Sequence, residues 1–289
     1  MASTTGDTKN SVDAADKLML KTNDKAVVTL PGFRPPSDPT PEASVESISA
    51  GLPPLHDEVF DGIFPLNMTT YPNRCVGKVI CGIGTPGNMI QRTNIGTGVL
   101  VGTNLVLTAC HILPIGQSSP LVRFIPGYTA GEEPFGHYDT TVWTMLPAPG
   151  QVNQVPSGID AAILFLPVSL QAKCGYFGWQ SSGNREAYVG SWFSTGYPQE
   201  NWGGERAITW GAQVTNVNTD NEASGTDFEL ITPGYASGPY VGAPLWHSGA
   251  DLFPYVNGVV SGNRDGRTVH SAGPLLASFL QKARSEQLP

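Results

Sequence analysis

The stretch Gly96-Thr-Gly-Val-Leu-Val-Gly-Thr-Asn-Leu-Val-Leu-Thr-Ala-Cys-His111 holds two apolar, β-branched runs joined by Gly102-Thr-Asn104. Runs of this length separated by turn residues read as a β-hairpin, and this one ends on a histidine. A second stretch, Gly158-Ile-Asp160-Ala-Ala-Ile-Leu-Phe-Leu166, puts a carboxylate directly before a wholly apolar strand. An acid at a strand mouth is half removed from water and needs a partner. An imidazole that donates one N–H to such an acid is fixed in tautomer and made more basic. A third stretch, Gly242-Ala-Pro-Leu-Trp246, is followed by Val256-Asn-Gly-Val-Val-Ser-Gly-Asn263.

Outward from these stretches the texture is the same. Short β-branched runs recur at 75–80, 97–101, 105–108, 121–125, 161–166, 188–193, 228–231 and 256–260, bounded by Gly, Pro and Asn. This spacing predicts an all-β barrel or sandwich. The 34 glycines and 25 prolines, about a fifth of 289 residues, fit many short strands and argue against a helical bundle. Near the end, Leu275, Leu276, Phe279, Leu280 and Ala283 fall at helical spacing, with Lys282 and Arg284 following. One C-terminal amphipathic helix is predicted there. Residues 1–55 read differently. The stretch Pro31-Gly-Phe-Arg-Pro-Pro-Ser-Asp-Pro-Thr-Pro41 has no periodicity and is expected to be extended, disordered or propeptide-like. Within it, Ala26-Val-Val-Thr-Leu30 could pair as an edge strand. The expected division is therefore 1–55 and a packed domain over 56–289.

Composition narrows the function classes. Hydrophobic residues make up 40% and charged residues 14%, which excludes a wholly disordered chain. The net charge of −8 argues against nucleic acid or an anionic membrane as partner. No apolar run approaches the roughly 18 residues of a membrane-spanning helix. Met1-Ala-Ser-Thr-Thr-Gly-Asp7 lacks the basic and apolar regions of a signal peptide, so a cytoplasmic location is expected. Cys75, Cys81, Cys110 and Cys174 match no zinc spacing, and the five histidines add none; no metal and no cofactor are expected. In a reducing compartment the thiols are expected free and buried, whereas oxidising conditions would leave a Cys75–Cys81 bridge open. Oligomeric state is not legible.

The three stretches together resemble the trypsin/chymotrypsin-fold serine peptidases, most closely the microbial glutamyl-endopeptidase-like branch. In that family a histidine follows Leu-Thr-Ala, an aspartate opens Asp-x-Ala-x-Leu, and the serine sits in Gly-x-Ser-Gly-x-Pro-Leu, in that chain order. The stretch from about Val59 to Lys78, ending Thr70-Tyr-Pro-Asn-Arg-Cys-Val-Gly-Lys78, is similar to the start of the mature domain in that branch. The resemblance covers about 60–289. It implies two packed six-stranded antiparallel β-barrels with the site between them, His111 as general base and Asp160 as its orienting partner.

The chain departs from the pattern at the nucleophile, and two registers stay open. In one, the serine position is Val241, which has no proton to give. Pro239 then replaces the glycine whose N–H helps build the oxyanion hole, and proline has no N–H. Tyr240 stands where the family has the aspartate that pairs with a newly cut N-terminus. In the other register, Thr232-Pro-Gly-Tyr-Ala-Ser-Gly238 resembles the family's Thr-Pro-Gly-x-Ser-Gly. Ser237 is then the nucleophile, and Pro239-Tyr-Val241 is an insertion. The plainer alternative is a turn serine that caps its own backbone. By resemblance, Tyr235, Tyr240, Val241, Ser261, Gly262 and Asn263 lie on segments lining the substrate pocket; Tyr235 at its base would shorten it. His137, His247 and His270 read as loop or core residues, and the six tryptophans as core.

Three functions follow as expectations. One is acyl transfer on a peptide or small-molecule substrate by Ser237, His111 and Asp160. Another is proton transfer, isomerisation or cyclisation by the His111–Asp160 dyad alone, in specialised metabolism. The third is a pseudoprotease that binds without reacting.

Overall fold

The computed structural model describes residues 27–36, 64–147, 152, 156–198, 203–219, 227–233 and 240–286. In chain order the strands are β1 (Val27–Leu30), β2 (Phe64–Pro65), β3 (Val76–Ile83), β4 (Gln91–Leu100), β5 (Leu105–Thr108), β6 (Pro120–Pro126), β7 (Tyr138–Thr140), β8 (Trp143–Met145) and β9 (Ala162–Phe165). There follow β10 (Gly178–Ser182), β11 (Gly190–Gly196), β12 (Ile208–Val214), β13 (Asn216–Thr219), β14 (Phe228–Pro233), β15 (Pro244–Ser248), β16 (Pro254–Arg264) and β17 (Arg267–Ala272). A one-turn helix, α1 (Gln171–Cys174), links the two halves, and α2 (Pro274–Ser285) closes the chain.

The strands form two curled sheets. The first has seven strands in the order β7-β6-β3-β4-β5-β9-β8, all antiparallel. The second has ten, running β13-β14-β17-β16-β15-β11-β12-β2, with β10 joining β16 in parallel and β1 in turn pairing β10. This is the two-barrel, all-β architecture with a C-terminal helix that the sequence implies. The counts exceed six per barrel because short strands add to the sheets, β7 and β8 at the ends of the first and β1 and β2 in the second.

Apolar runs set the interior. Val99, Leu100, Leu105, Val106 and Leu107 of the β4–β5 hairpin are fully buried, as are Ala162, Ile163 and Leu164 of β9. The second sheet closes over Trp210, Val214, Phe228, Leu230, Leu245 and Val260. Proline opens α2, where a missing N–H costs nothing. Leu276, Ala277, Leu280 and Ala283 form its buried stripe. The tryptophan expectation holds at Trp179, Trp192, Trp210 and Trp246, all buried. None of the four cysteines is in a disulfide, and all are buried. No helix among the described residues is long and apolar enough to cross a membrane.

Residues 27–36 depart from the expectation of a segment outside the packed domain. β1 pairs with β10 from Val27–Ser182 to Leu30–Trp179, and Phe33 bridges Tyr176. Arg284 of α2 fastens this segment: Nε donates to Val101 O, and the terminal nitrogens to Pro31 O and Phe177 O. The edge strand is legible in Val27–Leu30, but its partner β10 lies about 150 residues away and nothing in either stretch points to the other. The rest of the 1–55 segment lies outside the described residues.

Candidate active site

β5 and β9 are antiparallel neighbours, and Thr108 pairs with Ala162. Three residues beyond Thr108 and two before Ala162 therefore lie at the same end of the sheet. Those residues are His111 and Asp160. Asp160 Oδ2 accepts from His111 Nδ1 at 2.7 Å. Oδ1 accepts from the backbone N–H of Cys110 at 2.9 Å and of His111 at 3.1 Å, and from the Cys110 thiol at 3.0 Å. Asp160 is 1% exposed, while the His111 side chain keeps 22%.

Burial works to raise the Asp160 carboxyl. Hydrogen bonds from His111, Cys110 and Ser261, with the charge of His111, outweigh it and hold the group below the usual carboxylate range. An ionised carboxylate only accepts, so Nδ1 of His111 carries the proton. In the neutral ring Nε2 then keeps its lone pair for a reacting group.

The second sheet completes this arrangement across the barrel junction. Ser261 of β16 donates to Asp160 Oδ2 at 2.7 Å and accepts from Ser157 N at 3.0 Å. Ser271 of β17 donates to the backbone oxygens of Ser157 and Asp160. Both hydroxyls are buried, so neither barrel can shift against the other without stranding polar groups.

The expected nucleophile region splits. Val241 is 5% exposed, and its carbonyl accepts from Thr97 N at 2.8 Å. Gly242 sits at φ +83°, its N–H on Val260 O, with Thr97 O 2.1 Å and Thr108 Oγ1 2.4 Å from where a Cβ would be. That Cβ position is also 3.2 Å from Ala109 N, and a Cβ on Gly96 would meet both Ile112 and Val241 O. The Val241–Gly242 backbone is thus pressed against the segment that carries His111. Tyr240 is buried too, its ring 3.9 Å from that of Trp210. Tyr235, Ser237 and Pro239 lie outside the described residues.

Among the other expected pocket residues, Ser261 acts on Asp160, as given above. Gly262 is half-buried, and a Cβ there would lie 3.5 Å from Pro156. Asn263 is exposed, and its side chain accepts from Gly266 N in the β16–β17 turn. His137 pairs with Glu133 at the surface, His247 with Asn257, and His270 is wholly buried against Thr232. The sequence reading missed Cys110, Ser157 and Ser271. The adjacency of Cys110 to His111 was the one available signal; the two serines have none, because their partners come from the other barrel. Among the described residues no group of three or more His, Cys, Asp or Glu side chains could hold a metal ion.

No family model matches the chain, and no curated protein matches it. Solved structures do. Protease Anisep from Arthrobacter nicotinovorans is 19% identical, covers 78% of this chain and 100% of its own, and superposes with a TM-score of 0.57. A Glu endopeptidase solved in complex with MPD is 18% identical over 78% of this chain and 98% of its own, at 0.56. The thermostable serine protease AL20 from an extremophilic microorganism is 16% identical over 74% and 97%, at 0.56. The fold is trypsin-like. In a trypsin-like frame the His111–Asp160 pair stands at the junction of the barrels, where both sheets contribute to it.

Proposed function

We propose that the chain is an enzyme derived from a serine hydrolase, using Ser237, His111 and Asp160 for acyl transfer or hydrolysis. The observation that carries this reading is the 2.7 Å contact from His111 Nδ1 to a buried Asp160 whose two oxygens accept five hydrogen bonds. His111 Nε2 would take the proton of Ser237 as Oγ attacks a carbonyl carbon. The protonated ring would return that proton to the leaving group. Water would then release the acyl group by the same two transfers, regenerating Ser237. Ser237 lies three positions before Tyr240 in the chain, and the Val241–Gly242 backbone that follows abuts the His111 segment. The substrate class is a peptide or a small ester.

The packing of Val241 favours a second reading. Valine occupies the serine position of one register, and its backbone is locked between Thr97 and the next residue, Gly242. With no nucleophile, the dyad would carry out proton transfer on a small molecule, without a covalent intermediate.

One experiment separates them. The folded protein is treated with a fluorophosphonate and the adduct mapped by peptide sequencing. A stoichiometric adduct on Ser237, absent from Ser237→Ala and strongly slowed in His111→Ala, is the expected result. Absence of any adduct overturns the acyl-enzyme reading. A small-molecule conversion lost in His111→Ala but kept in Ser237→Ala would then establish proton transfer. Loss of neither, with only thermal stability altered, would leave a binding protein.

A further inference from the structure

The carboxylate of Asp160 is held unevenly. Oδ2 serves two side chains, the His111 ring and the Ser261 hydroxyl. Oδ1 serves the corner itself: the backbone N–H groups of Cys110 and His111, and the thiol of Cys110. The two backbone donors are present whatever residue stands at 110. The thiol is a contribution of this side chain. It lies 3.0 Å from Oδ1 and is closed off from solvent. A carboxylate has about four lone-pair directions. Without the thiol, Oδ1 keeps the two backbone donors but loses its one side-chain donor, and the carboxylate turns more freely about its Cβ–Cγ bond, carrying Oδ2 away from the His111 ring.

We propose that Cys110 is a positioning residue: its S–H donates to Asp160 Oδ1 and fixes the rotation at which Oδ2 meets His111 Nδ1. This rests on the reading of His111 as a general base. Burial first, and the adjacent Asp160 charge second, push the thiol far above its ordinary range. The sulfur therefore stays protonated, which makes it a donor and removes it from the set of candidate nucleophiles. A cysteine at this place also occupies core volume as a small hydrophobe would. The two roles are separable, because alanine and serine both shrink the side chain but only serine keeps a donor.

The test uses the full chain and two spectroscopic readouts that need no substrate. In the infrared, the wild-type minus Cys110→Ala difference isolates one S–H stretching band. A band shifted to lower frequency than that of a free thiol is expected; a band at the free-thiol position overturns the proposal. In proton NMR, the Nδ1–H of His111 is followed in wild type, Cys110→Ala and Cys110→Ser. The low-field resonance is expected to move upfield or broaden in Cys110→Ala and to return in Cys110→Ser. An unchanged resonance in Cys110→Ala overturns the proposal. Where turnover can be measured, kcat is expected to fall about tenfold in Cys110→Ala at constant KM, with recovery in Cys110→Ser. If Cys110→Ala does not fold, Cys110→Ser decides: its resonance must match wild type, and loss of the signal overturns the proposal. A bonded thiol in a protein that takes no fluorophosphonate would overturn the function while leaving the positioning role in place.

Discussion

Asp160 and His270 are both sealed from solvent, one at the mouth of the first sheet and one inside the second, and the fold treats them oppositely. Asp160 is surrounded by donors from both barrels and is held in its charged form. His270 lies between Leu230 and Val260 in the strand register. It touches one hydroxyl, Thr232 Oγ1, while its Nδ1 finds no partner. Burial pushes its pKa down to about 3, so it is kept neutral. The difference teaches where the molecule invests in a charge. At Asp160 both barrels supply donors to an ion, whereas at His270 the second barrel encloses a neutral ring.

The comparison can be broken most forcefully at Asp160. Asp160→Ala leaves the Cys110 and His111 backbone donors buried without an acceptor, and should cost about 3–5 kcal/mol in urea unfolding. It should also abolish any His111-dependent chemistry. A loss below about 1 kcal/mol would mean that the five hydrogen bonds add little. Gly242→Ala tests the seam between the barrels. A left-handed φ and a backbone oxygen 2.1 Å from the new Cβ should cost about 3 kcal/mol. A neutral result in the same unfolding assay would show that the seam is soft.

Acid sharpens the contrast. The folded pKa of His270 is below its unfolded value near 6.5. Between those limits the unfolded chain binds a proton that the folded chain refuses, so stability falls as pH drops from about 6.5 to about 3. The slope for one proton is up to about 1.4 kcal/mol per pH unit. Asp160 is also depressed, but from an ordinary value near 3.8, so its contribution is present above that pH and is lost only below it. Urea midpoints measured against pH should therefore show two windows, and His270→Leu should lessen the slope of the upper one only, where His247, also depressed by burial, still contributes. A single window unmoved by that variant would refute the assignment. The smallest effect is expected at Ser261→Ala, about 1–2 kcal/mol, since four donors to Asp160 remain. Thermal unfolding of that variant checks it.

The legible part of this molecule was local. The β4–β5 hairpin, β9 and α2 each carry their own apolar period, and His111 and Asp160 sit at fixed offsets from such runs. What lay between distant segments was not legible. The edge pairing of Val27–Leu30 was anticipated, but its partner β10 was not. Ser271 and Ser157 meet across 114 positions, and nothing in either stretch signals the other. Resemblance places Tyr240 and Val241 on segments lining the pocket; both side chains are buried, beside a Gly242 whose backbone passes close to Thr97 and Thr108. β12, β13 and β17 escaped notice because polar residues interrupt their alternation, as in Ile208-Thr-Trp-Gly-Ala-Gln-Val214.

The close, tilted packing of Tyr240 against Trp210 has a practical consequence. Tyr240 follows directly on residues 234–239, which hold Ser237, and its ring rests 3.9 Å from the indole. Trp210 fluorescence is therefore a built-in optical gauge of Tyr240. A protein in which the other tryptophans are replaced by phenylalanine would glow differently when a ligand, an inhibitor or a substitution at Ser237 disturbs the chain beside it, with no label attached.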